Sequence, residues 1–556
     1  MARLSGGNLN NGANAGRFYA NLNNALSNAN WNYAARISDM VFCSVFRRPL
    51  RWIDFRLGRN ARNFLHQHRA PGKTGVRPCG GSGRMWGLVV KPKAFEYRKK
   101  EDWIFLKTYC KRKDISNIDF VKNCITPFLY ERLDKSNVAK LFAYYNGISN
   151  TKSRKNIDSS PEYTTDTIEK IAGSISENLK SRTVVEHVIA VTPNEAIVTY
   201  REIVDGLSGK RRELGLEKLI FQLYEVIARD ACQEMFDAKI GEFQVSSIKG
   251  KGQSYGKKYI KKWISMDPEG TKFCAKADVR KCYPSIPHNR LKELLHRDLR
   301  KSGDLLYLLD SIIYLYDCAN LQLGRPELCG KGILIGSPLS KDLNNYYMSY
   351  LYHYIYEQLA ITTVRRGKEK RTRLVSHAMI YADDIVVFGG NKKHLHQAMK
   401  LIIDFTRKFL GLEIKTTWEK FLVSYNDSSG KSKGRNLDFM GFVFRGCEAF
   451  YRDYGKVKKR LKKVIVTVRD SIFLRARRKF YLFIKLIRSK TVVTKHKAMS
   501  LLAYNGWIKN SDSHKFQSKE HWKEIINIAK RMVSRYEKGQ PYETEKYYKK
   551  VRKMYA

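Results

Sequence analysis

The spacing of apolar residues divides the chain into segments with different predicted structures. Residues 85 to about 156 alternate short apolar runs with charged residues, as short helices do. The polar stretch at the end of this segment, 150–166, is predicted to be a loop or linker. Residues 167–181 and 217–236 have helical periodicity, and between about 270 and 445 short apolar strands alternate with helices. The pattern predicts a mixed helix and strand fold in the middle of the chain.

The two ends of the chain differ from this middle part. Residues 1–84 are rich in Asn and Gly, with weak periodicity, and are predicted to lack a stable fold; the alternatives are a small Asn/Gly-rich domain or simple low complexity. After Gly455, apolar residues recur at helical spacing with Lys and Arg between them, which predicts a basic helical region. Such cations either touch phosphates or form the solvated face of an ordinary helical bundle.

The charge changes this picture by indicating a partner. The 556 residues include 104 Lys and Arg against 53 acidic residues, a formal net charge of +51. An excess this large would strain a compact fold unless a polyanion neutralised it, and nucleic acid binding would gain from counterion release. A merely basic protein is the alternative, although 43% hydrophobic residues are too many for a simple basic tail.

The ten cysteines argue against a structural metal site. No two have the CxxC spacing, and no His pair completes a zinc set. Free thiols without a secretory signal predict a reducing, cytoplasmic location. No apolar run approaches the ~20 residues that a membrane span requires, so we expect no membrane partner.

The strongest chemical signal is the segment 378–388, AMIYADDIVVF. Apolar and β-branched residues flank Tyr381, Ala382, Asp383 and Asp384, which predicts two acids at the tip of a hairpin between buried strands. Adjacent carboxylates repel each other, and a divalent cation removes that cost. An ordinary acidic turn is the alternative.

A second segment, 273–286, supports the catalytic interpretation. It predicts an apolar strand that ends at Asp278 and is followed by a turn with Pro284. If this strand adjoins the hairpin, Asp278, Asp383 and Asp384 would surround two Mg²⁺ ions, with Mn²⁺ as the alternative metal, as phosphoryl transfer requires. Alone, Asp278 could merely cap a helix.

These blocks, taken in order, resemble the palm of reverse transcriptases over roughly residues 165–510. The resemblance implies that Asp278 and Asp383 are the principal metal ligands with Asp384 nearby. It also implies that Tyr283 is the steric gate that excludes a ribose 2′ hydroxyl. The segment 331–345, KGILIGSPLSKDLNN, is similar to the next motif, with Gly336, Ser340 and Asn345 near the incoming nucleotide and template.

Further blocks of the resemblance assign residues around the nucleotide and the primer. The segment 436–444, NLDFMGFVF, resembles the primer-grip hairpin and implies a role for Phe439, Met440 and Gly441. The segment 208–215 implies that the triphosphate is neutralised by Lys210, Arg211 and Arg212. In 409–423 the family carries a Lys near the leaving pyrophosphate. Lys420 is assigned to the nucleotide site, and Lys415 qualifies equally.

The resemblance implies an α+β right-hand polymerase with an antiparallel-sheet palm, helical fingers and a basic helical thumb. Its substrates would be a template RNA, a primer or growing cDNA, and deoxynucleotides. The implied domains are the Asn/Gly-rich segment 1–84, an N-terminal helical extension with linker 85–164, fingers 165–270, palm 271–445, and thumb with C-terminal basic helices 446–556.

Among reverse transcriptases, the segments 276–289 and 501–513 are most similar to those of diversity-generating retroelements. These elements miscopy template adenines, and Asn is encoded by adenine-rich codons. The Asn-rich run 6–37 therefore resembles a translated template repeat, which would make Met85 the natural start. The group implies a structured RNA and a small basic accessory protein. One departure is Lys341, where the group carries Gln after the preceding Ser.

The sequence is also compatible with other functions. The enzyme could be an antiphage-defence, retron or group II intron-type reverse transcriptase. From a different class, the chain could be an RNA-binding protein built on a decayed polymerase, although all three carboxylates are present.

Overall fold

The computed structural model describes residues 107–204, 211–426, 431–447, 450–453, 456–459, 463–540 and 544–555, together with strand β1 (Val89–Val90). Apart from Val89 and residues 364–368, the described residues lie in one compact unit. The predictions for residues 1–84 and for Lys210 lie outside the described residues.

The described chain begins with a group of helices whose apolar faces form one side of the main core. They are α1 (Ile118–Tyr130), α2 (Ser136–Asn146), α3 (Asn150–Ser159), α4 (Pro161–Ser181) and α5 (Val184–Ala190).

The prediction of a linker at 150–166 was wrong, because this stretch forms α3 and the start of α4. Its Ser residues are helix caps: the Ser149 hydroxyl accepts from the Lys152 N–H, and the Ser160 hydroxyl accepts from the Tyr163 N–H. Arg154 forms an ion pair with Asp158 one helical turn later. Local capping and charge pairing therefore stabilise a helix that has almost no apolar face.

A hairpin and three helices follow. Strands β2 (Val198–Val204) and β3 (Arg211–Glu217) pair antiparallel. The apolar run predicted to be one long helix forms two, α6 (Leu219–Ala231) and α7 (Gln233–Lys239), with a break at Cys232. Helix α8 spans Gln253–Met266.

The central region supplies a four-stranded antiparallel sheet in the order β7-β8-β4-β9. In chain order, its elements are β4 (Phe273–Asp278), α9 (Cys282–Ser285), α10 (His288–Asp298), α11 (Gly303–Gln322), a 3-10 turn (Pro326–Leu328), α12 (Ser340–His353), a π-helical turn (Tyr354–Gln358), β5 (Ala360–Arg365), β6 (Lys368–Arg373), β7 (His377–Tyr381), β8 (Asp384–Gly389), α13 (Lys392–Lys408) and β9 (Glu419–Leu422).

Both faces of the inner strand β8 are buried, which explains why β8 is apolar at every position after Asp384. On β8, Ile385 and Val387 face the main core. Val386 and Phe388 face a second core, which also contains Trp263 of α8. Alternate side chains of a strand point to opposite faces, so a sheet covered on both sides needs apolar residues at every position.

The C-terminal part begins with short strands and ends in helices. The strands are β10 (Tyr425–Asn426), β11 (Ser432–Lys433), β12 (Leu437–Phe439), β13 (Phe442–Cys447), β14 (Phe450–Asp453), β15 (Lys456–Lys459) and β16 (Lys463–Val468). The helices are α14 (Asp470–Arg488), α15 (Lys495–Leu502), α16 (Asn505–Lys509), α17 (His514–Lys519), α18 (Trp522–Glu537) and α19 (Thr544–Met554).

The prediction that the region after Gly455 is helical was correct only from Asp470 onward. The segment before it contains β15 and β16, and β16 pairs with β13. Val464, Val466 and Val468 are buried on one face of β16. A run of β-branched residues with alternate burial favours a strand when the edge of another strand, here β13, is available for pairing. This preference outweighs the helical spacing that the Lys and Arg residues around it indicated. None of the described helices is long and apolar enough to cross a membrane.

Candidate active site

Two acids lie at the tip of the β7–β8 hairpin, as predicted. Tyr381 ends β7 and pairs with Asp384, the first residue of β8. Ala382 has φ 54° and turns the chain between them. The left-handed conformation is strained for a residue with a Cβ, so the flanking strands must hold this turn in place.

The strand that ends at Asp278 adjoins this hairpin, which confirms the predicted neighbourhood of the two strands. In the β4–β8 register, Asp278 lies opposite Asp384. Just beyond it, the Val279 N–H donates to the Asp383 carbonyl oxygen at 3.0 Å. Strand pairing therefore brings Asp278, Asp383 and Asp384 to one edge of the sheet, although about 100 residues separate them along the chain.

Lys415 is the lysine that contacts this group of acids. Its N–H donates to the Asp278 carbonyl oxygen at 2.9 Å, and its Nζ lies 2.8 Å from Asp278 Oδ2. Lys420 pairs with Ala275 instead, further along β4. The geometry thus separates the two lysines that the sequence left equivalent.

Burial and the charges of neighbouring acids raise the pKa values of Asp383 and Asp384. Burial, reinforced by the neighbouring Asp383, raises the pKa of Asp384 to about 6. Burial also raises the pKa of Asp383, with Asp278 adding to the rise and Arg212 and Lys415 opposing it. A bound cation would reverse both effects, because it stabilises the charged form of each carboxylate.

The donor set fits a divalent hard cation, although the side chains are not yet arranged around one. Among the described residues, no group of three His, Cys, Asp or Glu side chains is placed to hold an ion. However, Asp278 Oδ1 is buried without a hydrogen-bond partner, and its other oxygen accepts from the Lys415 ammonium group. Carboxylate oxygens are the ligands that Mg²⁺ prefers. The candidate ligands are therefore Asp278, Asp383 and Asp384.

Tyr283 lies in the short helix α9 beside these acids. Its carbonyl oxygen accepts from the Ile333 N–H at 2.9 Å. The backbone at Ile333 therefore helps to hold α9 in place. Burial raises the pKa of the Tyr283 hydroxyl, and the charges of Cys282 and Asp383 add to this effect. The Tyr283 residue is half-buried.

The segment 331–345 forms a glycine turn that enters α12, as predicted. Gly336 has φ +113°, and a Cβ there would lie 2.6 Å from Leu214 Cδ1 and 3.2 Å from the Gly215 carbonyl oxygen. Only glycine fits this close approach to β3. Ser340 begins α12 and is buried, and Asn345 is also buried, with its amide donating to the Ser246 carbonyl oxygen at 2.9 Å.

The predicted triphosphate cations lie at the start of β3. Arg211 and Arg212 are exposed, and Arg211 lies 3.5 Å from Glu202 across the hairpin. Arg212 is close enough to the acids to oppose the rise in the Asp383 pKa.

The predicted grip hairpin is formed by β12 and β13. Phe439 is buried, and the turn consists of Met440 (φ 53°) and Gly441 (φ +80°). Trp507 of α16 packs on this turn, and its Nε1 donates to the Met440 carbonyl oxygen at 3.3 Å. The Arg469 N–H donates to the Gly441 carbonyl oxygen at 2.9 Å. The C-terminal helices therefore fix the conformation of the turn.

Sequence reasoning missed several of these contacts. Arg469 donates to Asp438 Oδ1 through Nε (2.9 Å) and Nη2 (2.7 Å). Lys276 donates to the Asp438 carbonyl oxygen at 3.0 Å. Trp507 lies in the segment 501–513, which resembles a block of diversity-generating reverse transcriptases. Within that segment, an aromatic residue next to Gly506 was the signal that could have indicated a packing contact. Nothing in the sequence linked Asp438 to Arg469.

One protein-family model matches the part of the chain that contains this site. Residues 204–444 match the family model for reverse transcriptase (RNA-dependent DNA polymerase). The matched span includes Asp278, Asp383, Asp384 and Lys415, and it ends within β13. The match supports a reverse transcriptase. A domain of this kind implies an RNA template and nucleotide substrates, and the family generally uses divalent metal ions. No curated protein matches the chain.

Proposed function

We propose that the chain is an RNA-directed DNA polymerase that synthesises cDNA by two-metal phosphoryl transfer. The observation that carries the proposal is the convergence of three carboxylates: Asp278 lies opposite Asp384 in the β4–β8 register, and the peptide after Asp278 is hydrogen-bonded to Asp383. Two Mg²⁺ ions bound there would activate the primer 3′ hydroxyl and stabilise the leaving pyrophosphate.

The remaining roles are assigned to residues around this edge of the sheet. The Lys415 ammonium group is placed to neutralise charge next to Asp278. Arg211 and Arg212 neutralise the triphosphate, and the half-buried Tyr283 ring excludes a 2′ hydroxyl. Each role requires the side chain to reach the same space. The contact of Lys415 with Asp278 and the effect of the Arg212 charge on the Asp383 pKa support this.

We further propose a right-hand arrangement, with fingers at 165–270, a palm at 271–445 and a thumb at 446–556. The four-stranded sheet that carries the acids supports the palm assignment. Helix α14 exposes Arg477, Arg478 and Lys479 on one side, while Phe480 and Phe483 are buried on the other. Such a face suits phosphate contacts with the template and primer.

The setting that we propose is a diversity-generating retroelement in the cytoplasm, acting with a structured RNA and a small basic accessory protein. The Asn-rich segment 6–37 and the segment 501–513 support it. Lys341 is exposed at the start of α12, where that group carries Gln. If this position governs copying of adenine, Lys341→Gln should change the error rate opposite adenine without changing that opposite the other bases.

The test is primer extension on an adenine-containing RNA template with Mg²⁺ and deoxynucleotides, followed by sequencing of the product. Asp383→Asn should abolish extension while RNA affinity in a filter-binding assay stays unchanged. Asp404→Asn is the matched control, because Asp404 is an exposed carboxylate on α13 that pairs with Arg407. Near-normal extension by Asp383→Asn would contradict the two-metal assignment.

The product sequence separates the alternatives. Errors concentrated opposite adenine support the diversity-generating setting. Faithful copies retain the polymerase and favour a retron, defence or intron role. RNA binding by the unmodified protein without extension, under Mg²⁺ and under Mn²⁺, favours an RNA-binding protein on a decayed polymerase.

A further inference from the structure

Glu225, in the middle of α6, is a fully buried carboxylate whose partners are two hydroxyl groups. Its Oε1 accepts from the Tyr316 hydroxyl of α11 at 2.7 Å, and its Oε2 accepts from the Ser337 hydroxyl at 2.7 Å. The residue has no exposed surface. Neither partner carries a positive charge, so these hydrogen bonds compensate for only part of the cost of burying a carboxylate.

Ser337 connects this carboxylate to the turn before α12. While its hydroxyl donates to Glu225, its Oγ accepts from the N–H groups of Leu339 (3.2 Å) and Ser340 (3.3 Å). These N–H groups lie at the start of the helix and have no intrahelical acceptor. The orientation of the Ser337 hydroxyl, and with it the first turn of α12, is therefore set by Glu225.

The same turn is held on its other side by β3. The Gly215 N–H donates to the Ile335 carbonyl oxygen at 3.2 Å, and Gly336 packs against Leu214 without room for a Cβ. Backbone contacts therefore fix the entry of the turn, whereas Glu225 fixes its exit.

Burial at this position is costly. Burial raises the pKa of Glu225 to about 7, with the hydrogen bonds from Ser337 and Tyr316 opposing the rise. The neighbouring Glu217 is also buried, and burial together with the charge of Glu225 raises its pKa. An apolar residue would avoid this penalty and stabilise the core better. The carboxylate is therefore better explained by what it positions than by its contribution to stability.

We propose that Glu225 is a positioning residue for nucleotide binding, acting through Ser337 on the turn 335–340. The inference rests on the proposed function, because this turn is where the incoming nucleotide and template would be contacted. Glu225 does not itself touch a substrate. It holds the turn in the conformation that binds the nucleotide, so its loss affects nucleotide affinity before it affects chemistry.

The test compares Glu225→Gln, Ser337→Ala and the double variant in steady-state extension. Each single variant should raise the KM for deoxynucleotides about tenfold, the effect of one lost hydrogen bond to a charged group, with RNA affinity unchanged. Because both act through one bond, the double variant should be no worse than either single variant. Glu234→Gln is the matched control: it makes the same chemical change on α7, where Glu234 accepts from the Cys110 N–H. Unchanged KM with a lower kcat, or additive effects, would overturn the proposal.

Hydrogen exchange keeps this inference distinguishable from the proposed function. Without any substrate, amides of residues 336–345 should exchange about tenfold faster in Glu225→Gln and Ser337→Ala than in the unmodified chain or Glu234→Gln, because loss of that hydrogen bond loosens the turn. If the unmodified chain fails to extend primers, the proposed function is wrong, and the exchange rates still decide the linkage. Equal exchange in all variants would refute the coupling of Glu225 to the turn.

Discussion

Gly441→Ala tests the contact between the C-terminal helices and the β12–β13 turn. A Cβ at this position would lie 2.7 Å from Trp507 Nε1 and 2.8 Å from Ile472 Cδ1. The left-handed conformation, φ +80°, costs a residue with a Cβ about 1–2 kcal/mol. Overpacking against the two side chains adds about 1–3 kcal/mol. We therefore expect the free energy of unfolding to fall by about 2–5 kcal/mol.

The measurement is urea denaturation followed by tryptophan fluorescence, together with primer extension at a temperature where the variant is folded. Gly147→Ala is the matched control, since Gly147 has φ +60° and open space around the added Cβ. It should lose only about 1–2 kcal/mol for the left-handed conformation. If Gly441→Ala is no less stable than Gly147→Ala, Trp507 and Ile472 do not restrict the turn. If the folded variant also extends primers normally, the turn does not position the primer end.

Three further predictions concern the site and the buried carboxylate. Lys415→Met should lower kcat for extension about 100-fold, as loss of a positioned acid or charge does, whereas Lys420→Met should have an effect within about threefold; equal effects would contradict the role of the Asp278 contact. Tyr283→Ala should reduce discrimination against ribonucleotides about 100-fold, the scale of steric selection, measured by competition between the two sugars, and unchanged selectivity would exclude Tyr283 as the gate. Because the pKa of Glu225 is raised to about 7 in the folded state, its contribution to stability is full below its unfolded pKa of about 4.5 and is lost as pH rises through about 7, a change of about 3 kcal/mol. The titratable groups that face Glu225 are Glu217 and Tyr316. The free energy of unfolding of Glu225→Gln should therefore change less between about pH 5 and pH 8 than that of the unmodified chain. An equal change in both proteins would exclude Glu225 as the source of the pH dependence.

The sequence by itself determined the local elements that carry the acids. The apolar run on both sides of Asp383 predicted a hairpin between buried strands, and the run before Asp278 predicted a strand end; both were confirmed. These predictions succeeded because a short run of apolar, β-branched residues and the preference of Asp for turns are properties of consecutive residues. The same local reasoning failed at 150–166, where Ser caps and an ion pair stabilise a helix without an apolar face. It failed again at β16, where pairing with β13 selects a strand.

Only the tertiary structure decided which side chains meet. It brought Lys415 rather than Lys420 onto Asp278, packed Trp507 on the turn at Gly441, and joined Glu225 to Ser337 across 112 residues of sequence. Such contacts depend on strand register and on the packing of elements distant in sequence, and no pattern of neighbouring residues encodes either one. The sequence thus identified the chemical groups of the site, whereas the packing of its sheets and helices determined their partners.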